Sequence, residues 1–197
     1  MIPYARQDIN KEDIDAVKKV LKSDWLTQGP MVQRFEKAIN NYTNSRYAVA
    51  VSSATGALHI SCLALGVGPG DWVWTSPNTF VSSANCILYC GAKVDFVDID
   101  PKTYNISISR LEAKLKEAKK KDKLPKVLIP VHFGGQPCEM IEIHKLSKKY
   151  KFKIIEDASH AIGASYNLPD KAIKNKIKIG SCKHSDISIF SFHPVKI

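Results

Sequence analysis

Residues 67–100, VGPGDWVWTSPNTFVSSANCILYCGAKVDFVDID, decide the architecture. A turn rich in Gly and Pro precedes the short apolar run WVWT, which reads as a buried strand. NTFVSSANCILYCG has the length of a helix, and AKVDFVDID is a further strand ending in acids. A strand, a helix and a strand in this order form a crossover unit with parallel strands. The same alternation extends both ways. Upstream, residues 47–51 (YAVAV) read as a strand, SSATG as a turn, and ALHISCLALG as a helix ending near Gly66. Downstream come a charged helix from Ser109 to about Lys121, a strand at 126–130 (KVLIP), a helix at 140–150 and a strand at 152–155. The chain after Gly163 reads as a long irregular excursion before residues 185–190 (SDISIF) return to the sheet. Short strands alternating with helices of ten or more residues predict an α/β fold with a mostly parallel sheet. No internal repeat is visible.

Ahead of this core, Asn10 and Asp13 form the pattern of a capping box for a helix carrying Ile14, Val17, Val20 and Leu21. The loop SDWLTQGP follows, and Pro30 is suited to open a second helix through Val32, Phe35 and Ile39.

With 197 residues, 44% of them hydrophobic, the chain can fill one sizeable domain. Its formal net charge is +10, yet the lysines cluster at 114–126 and 167–183 without the interspersed arginines and aromatics that read bases, so no nucleic acid is expected as a partner. The five cysteines show no CxxC spacing and read as buried thiols in a reducing, cytoplasmic setting, with no metal site. Neither a signal peptide nor a membrane-spanning stretch is expected.

Working residues in such a sheet fall on loops beyond the carboxyl ends of the strands. The turn at 52–56, with Thr55 and Gly56, can aim backbone N–H groups at a phosphate, although an ordinary capped turn explains it equally well. Asp157 ends a strand, either as a helix cap or as the carboxylate that keeps a pyridine ring protonated. His160 fits beside that carboxylate or ring, or is a satisfied core histidine. Lys196 is the least ordinary residue, because its neighbours His193, Pro194 and Val195 are not the polar company of a surface lysine. A partly desolvated amine can attack an aldehyde. Ser191 can donate to a phosphate, and Phe80 can offer a flat face to a ring or serve as a helix-start core residue. A phosphate cradle, a ring face, a carboxylate and an amine are together what pyridoxal phosphate requires.

The stretches SDWLTQGP, AVAVSSATGALHISCLALGVGPGD, SPNTFVSSANCILYCGAKVDFVDID, PVHFGGQPCEM, IIEDASHAIGA and SIFSFHPVKI resemble the DegT/DnrJ/EryC1/StrS family of sugar aminotransferases. The resemblance runs in order over the whole chain. It implies the type I fold of pyridoxal 5'-phosphate enzymes: residues 1–197 as the N-terminal part of the large cofactor-binding domain, with 1–40 a helical and substrate-loop segment, 41–197 an incomplete α/β core, and the C-terminal small domain absent. It also implies roles. Lys196 matches the Schiff-base lysine and proton carrier, Asp157 the partner of the pyridine nitrogen, Phe80 the stacking ring, and His160 the histidine beside it. Thr55, Gly56 and Ser191 match phosphate contacts, while Tyr4, Asp24, Trp25, Leu26, Thr27 and Ala54 lie where relatives touch a nucleotide sugar. Within the group, IPYARQDI and the tryptophans and cysteines at 70–91 are most similar to members serving pseudaminic acid biosynthesis. That implies a UDP-linked 4-keto-6-deoxy-N-acetylhexosamine as acceptor at C4, L-glutamate as amino donor, and a homodimer. Another nucleotide-sugar 3- or 4-aminotransferase and a non-catalytic binding fragment are the alternatives. Eliminating relatives carry histidine at the lysine position, and Lys196 argues against them.

Overall fold

The structure is a computed structural model and describes residues 7–168 and 176–196. In chain order the elements are α1 (Lys11–Leu21), α2 (Pro30–Thr43), α3 (Ala54–Ala64), β1 (Trp72–Thr75), α4 (Ser82–Tyr89), β2 (Lys93–Phe96) and α5 (Ile108–Lys120). They continue with β3 (Val127–Ile129), α6 (Met140–Tyr150), β4 (Lys153–Asp157), β5 (Ser165–Asn167), β6 (Lys176–Lys178) and β7 (Ile187–Ile189). Five strands form one sheet in the order β2-β1-β3-β4-β7, and every pairing in it is parallel. The α/β reading holds.

Side-chain alternation along the strands sorts the core into two layers. Trp74, Leu128 and Ile154 face α5 and α6, packing with Leu111, Leu115, Met140 and Ile143. Val73, Val127, Ile129 and Ile155 face the other way, packing with Leu58 and Cys62 of α3 and with Cys86 and Ile87 of α4. Cys62, Cys86, Cys90 and Cys138 are buried free thiols, and no cluster that could hold a metal ion occurs among the described residues. Nor is any described helix long and apolar enough to cross a membrane.

Local signals set the helix starts. Asn10 Oδ1 accepts from the N–H groups of Glu12 and Asp13, and Asp13 returns a bond to the Asn10 N–H at 2.9 Å. Pro30 occupies the first turn of α2 as its fixed φ allows. The helix expected from 78 begins only at Ser82, which leaves Asn78, Thr79 and Phe80 in the turn after β1.

Two expectations are corrected. Residues 47–51 belong to no strand or ladder among the described residues; the Ala50 N–H donates to Glu36 Oε1 at 2.8 Å, and Tyr47 and Val49 are exposed. Apolar, β-branched composition favours an extended backbone, but a strand also requires an adjoining edge. The excursion after Gly163 is not irregular throughout. β5 and β6 pair antiparallel, with Ser165 opposite Lys178 and Asn167 opposite Lys176. Part of the lysine-rich 167–183 stretch lies outside the described residues.

On the α5/α6 side of the sheet, Glu156 is buried beside His132. The Cys138 N–H donates to His132 Nδ1 at 3.0 Å, so the ring proton sits on Nε2 and is donated to Glu156 Oε2 at 2.8 Å. Ser185 Oγ donates to Glu156 Oε1. His132→Ala strips one donor from a buried carboxylate and orphans the Cys138 N–H, so it should cost about 3 kcal/mol. Chemical denaturation would read this as an earlier midpoint with an unchanged slope.

Candidate active site

The carboxyl ends of β1, β3, β4 and β7 open on one cavity of about 1690 Å³, closed on another side by residues 45–55. Phe80 follows β1, residues 131–134 follow β3, Asp157 ends β4 with His160 just beyond, and Ser191 and Lys196 follow β7. A parallel sheet gathers these separate loops at one rim because all its strands end on the same side.

Asp157 is 4% exposed, and its carboxylate has three donors. Ser83 Oγ donates to Oδ2 at 2.6 Å, while Ser159 Oγ and the Ser159 N–H donate to Oδ1 at 2.6 and 3.2 Å. The main chain is held as firmly. The Asp157 N–H donates to the Pro130 carbonyl at 2.9 Å, and its carbonyl accepts from the His132 N–H at 3.0 Å. Gly135, with φ of +84°, lets this loop pass close to His160, because a Cβ there would lie 2.7 Å from the His160 carbonyl oxygen.

Lys196 lies in a turn beyond β7, not at the strand end, with its N–H bonded to the His193 carbonyl at 2.8 Å. Its Nζ is 2.9 Å from His160 Nε2 and 5.6 Å from the centre of the Phe80 ring. An ammonium only donates, so His160 accepts through Nε2. Burial first, and then the adjacent Lys196 charge, hold the His160 imidazole below its ordinary value, with Asp157 opposing. Phe80 is 65% exposed and turned to the cavity, not packed into the core.

At α3, Ser53 caps the helix by accepting from the Gly56 N–H at 3.1 Å, so this amide is engaged locally and is not the free donor expected. Thr55 Oγ1 lies 2.7 Å from Ser82 Oγ, on the cavity wall with Ala54. Ser191 lines the cavity too, its hydroxyl accepting from the His193 N–H at 3.4 Å. Asp24, Trp25, Leu26 and Thr27 do not line it. They belong to the loop after α1, a helix that buries none of its residues. Tyr4 lies outside the described residues. Sequence reasoning passed over Ser82, Ser83 and Ser159, whose signal was only a surplus of serine at helix and turn starts.

The sequence pattern of the DegT/DnrJ/EryC1/StrS aminotransferase family matches residues 7–197. The chain belongs to this family. Among its relatives, the UDP-4-amino-4,6-dideoxy-N-acetyl-beta-L-altrosamine transaminase of Campylobacter jejuni is 44% identical over 196 residues, 100% of this chain and 48% of that protein. The spore coat polysaccharide biosynthesis protein SpsC of Bacillus subtilis is 41% identical over 99% of this chain and 46% of its own length. A sugar aminotransferase of Streptococcus pneumoniae in its PLP form superimposes with a TM-score of 0.84 at 31% identity, covering 99% of this chain and 50% of that one. For PseC of Helicobacter pylori, an aminotransferase of pseudaminic acid biosynthesis, the TM-score is 0.81 at 30% identity, over 98% and 48%. The chain thus spans about half the length of the curated relatives it matches.

For a member of this aminotransferase family, the donor set suits pyridoxal phosphate. A buried carboxylate, an amine and an exposed aromatic face share one cavity with the wall that carries Thr55 and Ser191. The His160 shift has a consequence in the cofactor-free protein. An imidazole below its ordinary pKa of about 6.5 stays neutral while the unfolded chain takes up a proton, so its stabilisation is present above that pH. It is lost as pH falls through the lower folded value. NMR titration should place His160 below the ordinary midpoint. Lys196→Ala should raise that midpoint part of the way, since burial remains; an unmoved midpoint contradicts the close amine.

Proposed function

We propose that the full-length protein transfers the amino group of L-glutamate to C4 of a UDP-linked 4-keto-6-deoxy-N-acetylhexosamine, using pyridoxal 5'-phosphate, in pseudaminic acid biosynthesis. The observation that carries this reading is the Lys196 amine beside His160 and the Phe80 ring, in the same cavity as the buried Asp157 carboxylate. The choice of sugar draws on the likeness to the Campylobacter transaminase.

When bound, the cofactor supplies an aldehyde that takes up an amino group and a ring that holds electrons from the reacting carbon. The remaining work belongs to side chains. Asp157 would keep the proton on the pyridine nitrogen. Phe80 would cover one ring face, and Thr55, Gly56 and Ser191 would receive the phosphate; the Gly56 amide would exchange its Ser53 cap for that contact. Lys196 Nζ would hold the cofactor through its aldehyde, and as a free amine it would take the α-proton of glutamate and deliver a proton to C4 of the sugar. His160, accepting from Nζ, keeps the amine aimed at the reacting carbons.

Ala54 lies on the wall that the sugar nucleotide would meet, with Tyr4, Asp24, Trp25, Leu26 and Thr27 as its further contacts. The loop at 24–27 stands away from its own cavity. Trp25 and Leu26 are exposed, as are Ile14, Val17 and Leu21 of α1. A homodimer in which this arm packs on a second copy accounts for both features. The cytoplasm, where nucleotide sugars and reduced thiols coexist, is the proposed location.

The full-length protein loaded with pyridoxal phosphate should absorb in the visible and yield a covalent adduct on borohydride reduction. Lys196→Ala should lose the adduct and at least about a hundredfold in turnover; retention of the adduct on the same peptide overturns the assignment. Incubation with glutamate and the 4-keto UDP-sugar, followed by mass spectrometry, should show the keto oxygen replaced by an amine. Amination of only a 3-keto sugar would move the activity to another branch of the family.

A further inference from the structure

We propose that Ser83, backed by Thr79, is the positioning residue that holds the Asp157 carboxylate toward the cofactor, an inference that rests on the reading of Asp157 as the pyridine-nitrogen partner. Of the two side chains bonded to that carboxylate, Ser159 is only two residues away and travels with it. Ser83 comes from α4, 74 residues distant, and is fully buried. It is the side-chain contact that ties the carboxylate to another element.

Proton counting gives this contact a direction. A hydroxyl has one proton and a carboxylate only accepts, so Ser83 Oγ donates to Asp157 Oδ2 at 2.6 Å. The Phe80 carbonyl, 3.3 Å from the same hydroxyl, is the weaker competitor. Thr79 Oγ1, 2.7 Å from Ser83 Oγ, then donates to it. The result is a directed chain from Thr79 through Ser83 to Asp157, in which each bond polarises the next. Lone pairs distinguish the two oxygens. Oδ1 already accepts twice from Ser159, whereas Oδ2 accepts once and keeps a lone pair for the cofactor nitrogen. Ser83 therefore acts on the oxygen that has capacity left. The same turn carries Phe80 between Thr79 and Ser83, so one short segment sets both the ring face and the carboxylate.

A double-mutant cycle on the full-length protein tests the inference, with pyridoxal phosphate as probe and its dissociation constant and visible pH titration as readouts. Ser83→Ala, which places the best helix former inside α4, should weaken cofactor binding about tenfold and displace the titration. In the Asp157→Asn background it should change neither. Thr79→Val, at a half-buried turn position, should produce a smaller loss with the same dependence. Equal losses from Ser83→Ala in both backgrounds, or no loss in either, overturn the positioning role. If Asp157→Asn itself binds cofactor normally, the reading of Asp157 falls and this inference with it; a deficient Asp157→Asn with an additive Ser83→Ala overturns the inference alone.

Discussion

A carboxylate is carried into the interior at the end of β4, and much of the surrounding structure serves to keep it there. Removing such a charge from water costs several kcal/mol unless donors replace the lost solvent. Asp157 has three, supplied by Ser83 and Ser159, and both of its main-chain polar groups are bonded to the loop after β3. Its strand is sandwiched between β3 and β7, so the backbone cannot shift without breaking two ladders. A group fixed this closely can meet a ligand without first being ordered, which is where positioned groups gain over free ones.

Alternation along β4 ties this site to the opposite core. Ile155 and Asp157 face α3 and α4, while Ile154 and Glu156 face α5 and α6. Two adjacent carboxylates are therefore separated by the sheet, each with its own donors. Glu156 bonds to His132, and the His132 N–H bonds to Asp157, so one residue braces both faces at the same level. A slip of one residue in register would turn each carboxylate to the opposite face, separating Asp157 from Ser83 and Glu156 from its imidazole. Register here is specified by polar satisfaction as well as by hydrophobic pattern.

Much of this was legible in the chain. The strand–helix–strand reading of residues 67–100 follows from element length and apolar content, which depend on local sequence, and so do the Asn10 cap and the Pro30 helix start. Residues 47–51 were misread because an extended preference is local while a ladder partner is not. The long-range readings were uneven for the same reason. Asp157, His160 and Lys196 stood out by residue type and share a cavity. Ser83 did not, because a serine near a helix start has many ordinary explanations and its partner is 74 residues away. The loop at 24–27 was assigned by resemblance, and none of its residues lines the cavity.

The setting of Lys196 follows from the path of the chain out of β7. Phe192 meets Phe35 of α2 edge-on, with ring centres 4.9 Å apart, and the turn that ends at Lys196 is closed by the bond to the His193 carbonyl. Phe192, shortly before the lysine, is thus an anchor. Without Phe192 against α2, a four-carbon side chain on an exposed loop would sample many rotamers, and holding it beside His160 would cost much of that entropy. α2 and the segment after β7 meet at this contact, and the amine depends on both.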